Sequence, residues 1–313
     1  MKKGRPLRRG DTIGVVAPAS PATEAQVYLG KEKLEHLGFN VKLGESCFTD
    51  YGGYLAGTPE ARSRDVNNMF LDPEVDAIMC LRGGYGPPQI LQLLDYDCIS
   101  SNPKLFIGYS DITAIHTAIR QKTELVTLHG PMLASDLAHD FHDFSLRSLF
   151  KTVMQQSPLG QLENPEGKAI NCLVSGRIQG QLVGGNLSLI AATLGTPYEL
   201  DTKDKILFLE DVGEEPYRID RMLTQLALAS KLEEAAGFVL GDWTDCESTN
   251  YADGFTVFDL WEKMIAPFGK PTIYNVMAGH CKPTLTLPLG VDVTLDASNK
   301  QLIVEESVVT DVE

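Results

Sequence analysis

What this chain lacks narrows it first. Its 313 residues hold six cysteines, Cys47, Cys80, Cys98, Cys172, Cys246 and Cys281, with no C-x-x-C pair among them. That pattern speaks for reduced thiols and against a disulfide framework or a zinc ribbon. Cys80 and Cys172 lie in apolar runs and read as small core residues. No run approaches the roughly 18 apolar residues of a membrane span, so a soluble protein is expected. The start, Met1-Lys-Lys-Gly-Arg-Pro-Leu-Arg-Arg9, imitates a secretion signal, but Asp11 and Thr12 precede the apolar stretch and Pro18 soon cuts it. That falls short of the about 7–15 apolar residues a signal needs, and a cytoplasmic location is expected. Positive charge is scarce too. Against 42 Asp and Glu stand 27 Lys and Arg, for a net charge of −15, which repels a phosphate backbone and argues against a nucleic-acid partner.

What is present suffices for two domains, since 43% of the residues are hydrophobic. Thr12–Ala17 reads as a strand ending at Pro18, Glu24–Leu37 as a helix and Phe39–Leu43 as a second strand. Thr58 as N-cap, Pro59 at the first helical position and Glu60 in the first turn open a helix to Leu71. Val75–Leu81 is a strand, followed by Arg82-Gly-Gly-Tyr-Gly-Pro-Pro88. This alternation implies βαβ units and a parallel sheet, with ligands gathered at the carboxyl ends of its strands. Polar, aperiodic residues from Lys151 to Lys168 mark a boundary. Beyond it a strand from Ile178 turns at Gly184-Gly185 into a helix capped near Asn186, and Lys205–Glu210 is a buried strand that delivers Glu210 and Asp211 at its end. A helix follows from Pro216, then strands at Gly237–Gly241 and Thr272–Val276. The tail at 285–295 and 301–304 reads as a β-hairpin region.

The chain is organised around Lys104–Arg120. Leu105, Phe106 and Ile107 form a doubly buried strand, the run breaks at Gly108-Tyr109-Ser110, and Ile112, Ile115 and Ile119 then recur at helical spacing. Ser110 at such a corner has the position of a nucleophile elbow, although Ile112 stands where G-x-S-x-G has its second glycine. The competing reading is a plain helix N-cap. The Arg82-Gly83-Gly84 loop does not meet G-x-G-x-x-G. It reads either as a turn or as a bulk-free approach of backbone N–H groups to a developing oxyanion.

Asp136, His139, Asp140, His142 and Asp143 make a tempting metal cluster, but no H-E-x-x-H is present and the residues interleave with Leu137, Phe141 and Phe144 as on an amphipathic helix spanning 135–150. A serine nucleophile needs a histidine base and an acid to orient it. Of six histidines, His36 falls in a helix, and His116 lies about 9 Å along the helix that follows Ser110 and points elsewhere. His129 and His280 remain, each at a strand-to-loop junction beside glycine, and each equally readable as a structural histidine.

Taken in order, Arg82-Gly-Gly-Tyr-Gly86, Ile107-Gly-Tyr-Ser-Asp-Ile112, His129-Gly-Pro131, Gly184-Gly-Asn-Leu-Ser188, Phe208-Leu-Glu-Asp211 and Gly279-His280 resemble the LD-carboxypeptidases. These are serine peptidases of bacterial murein recycling, grouped with the microcin C immunity peptidases, and the resemblance runs from about residue 10 to 305. It implies a Rossmann-like amino-terminal domain with a parallel sheet (1–150), a linker (151–175) and a smaller β-rich α/β domain (176–313), with the active site between the domains. It implies Ser110 as nucleophile, Glu210 and His280 completing the triad, and the N–H groups of Gly84 and Asp111 as oxyanion donors. A homodimer and a murein peptide substrate follow, with no metal and no cofactor. Arg82 is the candidate for holding a terminal carboxylate, with Tyr85 and Tyr109 as further substrate-binding candidates. The alternatives are a microcin-type immunity peptidase, for which Trp243 or Tyr251 would offer a platform to a base, and a binding protein without turnover.

Overall fold

The computed structural model describes residues 1–139, 141–249, 251 and 253–310. The chain divides into two compact units. One holds Met1–Ser157, Thr286–Gly290 and the segment from Ser307, and the other holds Pro158–Leu285 and Val291–Glu306.

In the first unit, strands β1 (Thr12–Val16), β2 (Asn40–Leu43), β3 (Ala77–Cys80), β4 (Leu105–Gly108) and β5 (Thr127–His129) are parallel. They alternate with helices α1 (Glu24–His36), α2 (Pro59–Leu71), α3 (Tyr96–Ser101) and α4 (Thr113–Thr123), and α5 (Asp143–Met154) follows β5. Local chemistry sets the starts: Thr23 and Gln26 form a reciprocal capping box on α1, and Thr58 accepts from the Ala61 N–H ahead of Pro59 on α2. Every residue of β3, β4 and β5 is buried, which is why these strands read as unbroken apolar runs.

The sheet order places β1 between β2 and β3, so the chain reverses direction of travel at the β1/β3 boundary. Loops leaving the carboxyl ends there have room for a ligand. Those loops begin at Ala17 and Leu81, and the loop from β4, the strand beside β3, begins at Tyr109.

The sixth strand of this sheet corrects the reading of the tail. β12 (Leu287–Leu289) lies antiparallel to β5, pairing Leu287 with His129 and Leu289 with Thr127, so Thr286–Gly290 joins the first unit although 176–313 is expected to fold as the second. As the edge strand it tolerates Pro288, which has no N–H to give. A second correction concerns 135–150. The helix starts only at Asp143, where the His142 imidazole Nδ1 accepts the Phe144 N–H at 3.1 Å, and Leu133–Leu137 forms a separate wide turn.

The second unit is an eight-stranded mixed sheet. Its parallel centre comprises β8 (Arg177–Asn186), β9 (Ile206–Val212), β10 (Gly237–Thr244) and β11 (Thr272–Tyr274). Antiparallel strands flank it: β7 (Asn171–Val174) on β11, and on the other side β13 (Asp292–Asp296), β14 (Gln301–Val304) and β6 (Gly160–Leu162). Helices α6 (Leu187–Ala192), α7 (Pro216–Leu228), α8 (Lys231–Glu234) and α9 (Val257–Met264) connect the parallel strands, and Leu207, Leu209, Leu223, Leu226, Phe238 and Leu240 anchor one core.

The stretch 151–175 is therefore no simple linker, since β6 and β7 within it pair with β14 and β11. Nor does β8 turn at Gly184-Gly185: it runs on to Asn186. Gly184 serves close approach, because a Cβ there would lie 2.0 Å from the Phe208 carbonyl oxygen of β9.

Candidate active site

On the first unit the chain leaves β4 through Tyr109 and enters a single tight turn, Ser110–Ile112, before α4. Ser110 has φ 63°, the left-handed region that a serine occupies only under constraint. An N-cap residue has extended backbone instead, and neither Tyr109 nor Ile112, at the cap positions, makes a side-chain cap bond. The geometry is that of an elbow. Its departure from G-x-S-x-G is also explained: a Cβ at Gly108 would come within 3.0 Å of two Ile112 side-chain carbons and 3.2 Å of the Cys80 Cβ, so Gly108 makes the room that Ile112 fills.

The glycine loop from β3, the strand next to β4, lies directly on the elbow. A Cβ on Gly83 would stand 2.9 Å from the Ser110 Cβ and 3.1 Å from its Oγ. Gly84 (φ 122°) leans on Ser20, whose hydroxyl accepts the Tyr85 N–H at 3.1 Å and donates to the Tyr54 carbonyl at 2.7 Å. Among the described residues the Gly84 N–H itself makes no hydrogen bond.

Arg82 is half-buried. Its Nε donates to the Gly83 carbonyl at 3.3 Å and its Nη1 to the Pro21 carbonyl at 3.4 Å, and it borders a cavity of about 280 Å³ with Thr23, Gln26, Phe48 and Asp50. Among the described residues it has no carboxylate partner. Of the two tyrosine candidates, Tyr85 is 53% exposed, whereas Tyr109 is buried, points its hydroxyl at Asp136 and sets its ring against that of His129, 5.7 Å away.

His116, set aside as the base, has a structural place instead. Its Nε2 meets the Gly108 carbonyl at 2.8 Å, directly under the elbow. Burial pulls its pKa down to about 4, so the neutral ring donates from Nε2.

On the second unit, successive side chains of β9 point to opposite faces, and this separates the two acids. Asp211 accepts from the Asn186 amide and from the Ser188 N–H and hydroxyl, and so fixes the start of α6. Glu210, with no exposed surface, accepts from Nδ1 of His280 at 2.7 Å. Gly279 (φ 124°) admits this contact, since a Cβ there would lie 2.6 Å from Glu210 Oε2. The segment carrying His280 is tied to β10 by Asp242 N–H to Ala278 O at 2.9 Å and Val276 N–H to Leu240 O at 3.2 Å.

Burial pushes the Glu210 carboxyl up, and the His280 hydrogen bond only partly offsets it. For His280 burial acts downward, but the Glu210 hydrogen bond and charge, with Asp211 and Asp242, outweigh it and set its pKa above the ordinary histidine value. Asp140 of the His and Asp group set aside as a metal site lies outside the described residues, and among the described residues no three His, Cys, Asp or Glu are gathered so as to hold a metal ion.

A strained serine elbow under a glycine loop on one unit, and a carboxylate-oriented histidine on the other, are parts of the kind that serine hydrolases use. Comparison with known proteins narrows the class. The LD-carboxypeptidase N-terminal domain matches residues 13–130 and the LD-carboxypeptidase C-terminal domain residues 179–295. A probable murein peptide carboxypeptidase of Bacillus subtilis is 41% identical over 306 residues, covering 98% of this chain and 95% of that protein. Among solved structures, MccF in complex with glutamyl sulfamoyl guanosine superposes with a TM-score of 0.91 at 27% identity, covering 98% of this chain and 99% of that one. The muramoyltetrapeptide carboxypeptidase from Oxalobacter formigenes gives 0.80 at 28% identity, with 93% and 97% covered. The chain belongs to the LD-carboxypeptidase family of peptidases.

The Glu210–His280 pair has a direct spectroscopic consequence. Followed by NMR, the His280 ring is expected to titrate above the ordinary histidine value, and Glu210→Gln to lower that midpoint, because burial then acts with less opposition. An unmoved midpoint would mean that Glu210 does not govern the ring.

Proposed function

We propose that this protein is a serine LD-carboxypeptidase that releases terminal D-alanine from murein tetrapeptide in the cytoplasm. The observation that carries this reading is the fully buried Glu210 carboxylate on Nδ1 of His280, which leaves Nε2 as the basic nitrogen a serine nucleophile requires. Ser110 attacks the carbonyl that joins the L-configured centre of diaminopimelate or lysine to D-alanine. His280 takes the serine proton and delivers it to the departing amine. Water, activated by the same ring, then hydrolyses the acyl-enzyme.

The Gly84 and Asp111 N–H groups stabilise the tetrahedral oxyanion, and a glycine loop against Ser110 brings such donors close without side-chain bulk. Arg82 holds the substrate's terminal carboxylate through guanidinium donors not committed to a protein carboxylate, and the exposed Tyr85 stands close by in the chain. Each step uses protein groups and water alone. The relatives named for murein peptide and muramoyltetrapeptide support the substrate, and a homodimeric state belongs to the same reading.

A second reading, action on aminoacyl-nucleotide conjugates, draws on one observation. Trp243 and Tyr251 line a single cavity of about 400 Å³ with Phe255 and Phe258, offering aromatic faces to a base, and MccF is solved with glutamyl sulfamoyl guanosine.

Purified protein is expected to release D-alanine from L-Ala-γ-D-Glu-meso-diaminopimelate-D-Ala with or without chelator, and Ser110→Ala to lose at least about 10³-fold in kcat. Cleavage of glutamyl sulfamoyl guanosine without D-alanine release would replace this reading with the second. Arg82→Ala is expected to raise KM for the tetrapeptide about tenfold or more, the worth of a charge-assisted hydrogen bond, and an unchanged KM removes Arg82 from the site.

A further inference from the structure

Among the described residues Arg62 is one of the largest fully buried side chains, with 0% exposure, and it makes no ion pair. A guanidinium withdrawn from water without a carboxylate is unfavourable, and an apolar side chain of similar size would fill the same space at less cost. Its presence calls for a directional role, and its hydrogen bonds show one. Nε donates to the Gly57 carbonyl at 3.0 Å, Nη1 to the Pro18 carbonyl at 2.6 Å and Nη2 to the Gln89 side-chain oxygen at 2.6 Å.

These acceptors sit on three different segments: the loop leaving β1, the glycine-rich turn before α2, and the short helical stretch Pro87–Leu93 that follows the glycine loop. Gly86 (φ 115°) rests on the guanidinium itself, since a Cβ there would stand 2.6 Å from Nη1. The opposite end of the same loop, Gly83, rests on Ser110. Between them Tyr85 N–H is held by Ser20, two residues beyond the Pro18 carbonyl that Arg62 also grips.

We propose that Arg62 is a positioning residue: from the core it clamps the Pro18, Gly57 and Gln89 segments together and thereby holds the Gly83–Gly86 loop in register with Ser110. This rests on the serine-peptidase reading for its catalytic consequence but not for its structural one. Arg62 touches neither substrate nor nucleophile. It acts through the loop, so its loss lowers the rate of the chemical step more than substrate binding. A flexible ammonium in its place keeps the charge without the planar fork that reaches three acceptors at once.

The test combines exchange with kinetics in Arg62→Met, Arg62→Lys and Arg62→Ala, each checked for an intact fold by circular dichroism. In Arg62→Met, amide hydrogen exchange at Tyr85 and Gln89 is expected to speed up at least tenfold while Met79 and Ile107 in the sheet stay as in the wild type. For D-alanine release, kcat is expected to fall about 100-fold with KM within threefold, Arg62→Lys to lie between, and millimolar guanidinium to restore part of the Arg62→Ala rate. Wild-type exchange at Tyr85 and Gln89 in folded Arg62→Met overturns the proposal. So does a loss expressed wholly in KM. If the wild type releases no D-alanine, the peptidase reading falls and the exchange comparison alone decides the role of Arg62.

Discussion

A serine with φ 63° is held against its own preference, at a cost of about 1–3 kcal/mol, and persists only where its surroundings leave no alternative. Three features supply that constraint. β4 is buried in the middle of the sheet, Ile112 packs into the space left by Gly108, and Gly83 lies on the serine from the neighbouring strand. His116 and the Gly130 N–H both engage the Gly108 carbonyl, so the last residue of the strand cannot relax toward the serine. The strained turn is thus a property of the whole first sheet rather than of the six residues around Ser110.

The second unit solves a different problem, that of keeping an acid beside a histidine out of water. Glu210 lies inside a strand of the parallel centre, and Gly241 and Gly279 leave space on either side of it. Its neighbour Asp211 faces the other way and organises the start of α6, so two adjacent acids serve unrelated purposes through the two-residue period of a strand. Desolvation makes the Glu210–His280 bond strong and makes each partner dependent on the other: without the histidine the acid would be buried and uncompensated.

Much of this is legible in the sequence because the signals are local. Thr58-Pro59-Glu60 starts a helix wherever it is placed, and Leu105–Ile107 followed by Gly108 can hardly be other than a buried strand ending in a corner. The failures are non-local. Leu287-Pro288-Leu289 is too short to declare a partner, and its partner β5 lies more than 150 residues earlier, so its place in the first sheet has no sequence signature. Glycine permits turning, and Gly184-Gly185 reads as a turn on that ground, whereas Gly184 in fact permits the approach of another strand's backbone. Residue type alone does not single out Arg62 within α2. The one available clue was its spacing, four and eight residues ahead of Val66 and Phe70, which puts it on the buried stripe of α2.

Whether Ser110 is an activated nucleophile is tested most directly by reaction with a fluorophosphonate followed by mass-spectrometric mapping of the adduct. A single adduct on Ser110 is expected, formed far more slowly when His280 is replaced by alanine. Labelling at another residue, or labelling of Ser110 at the same rate without His280, would contradict it.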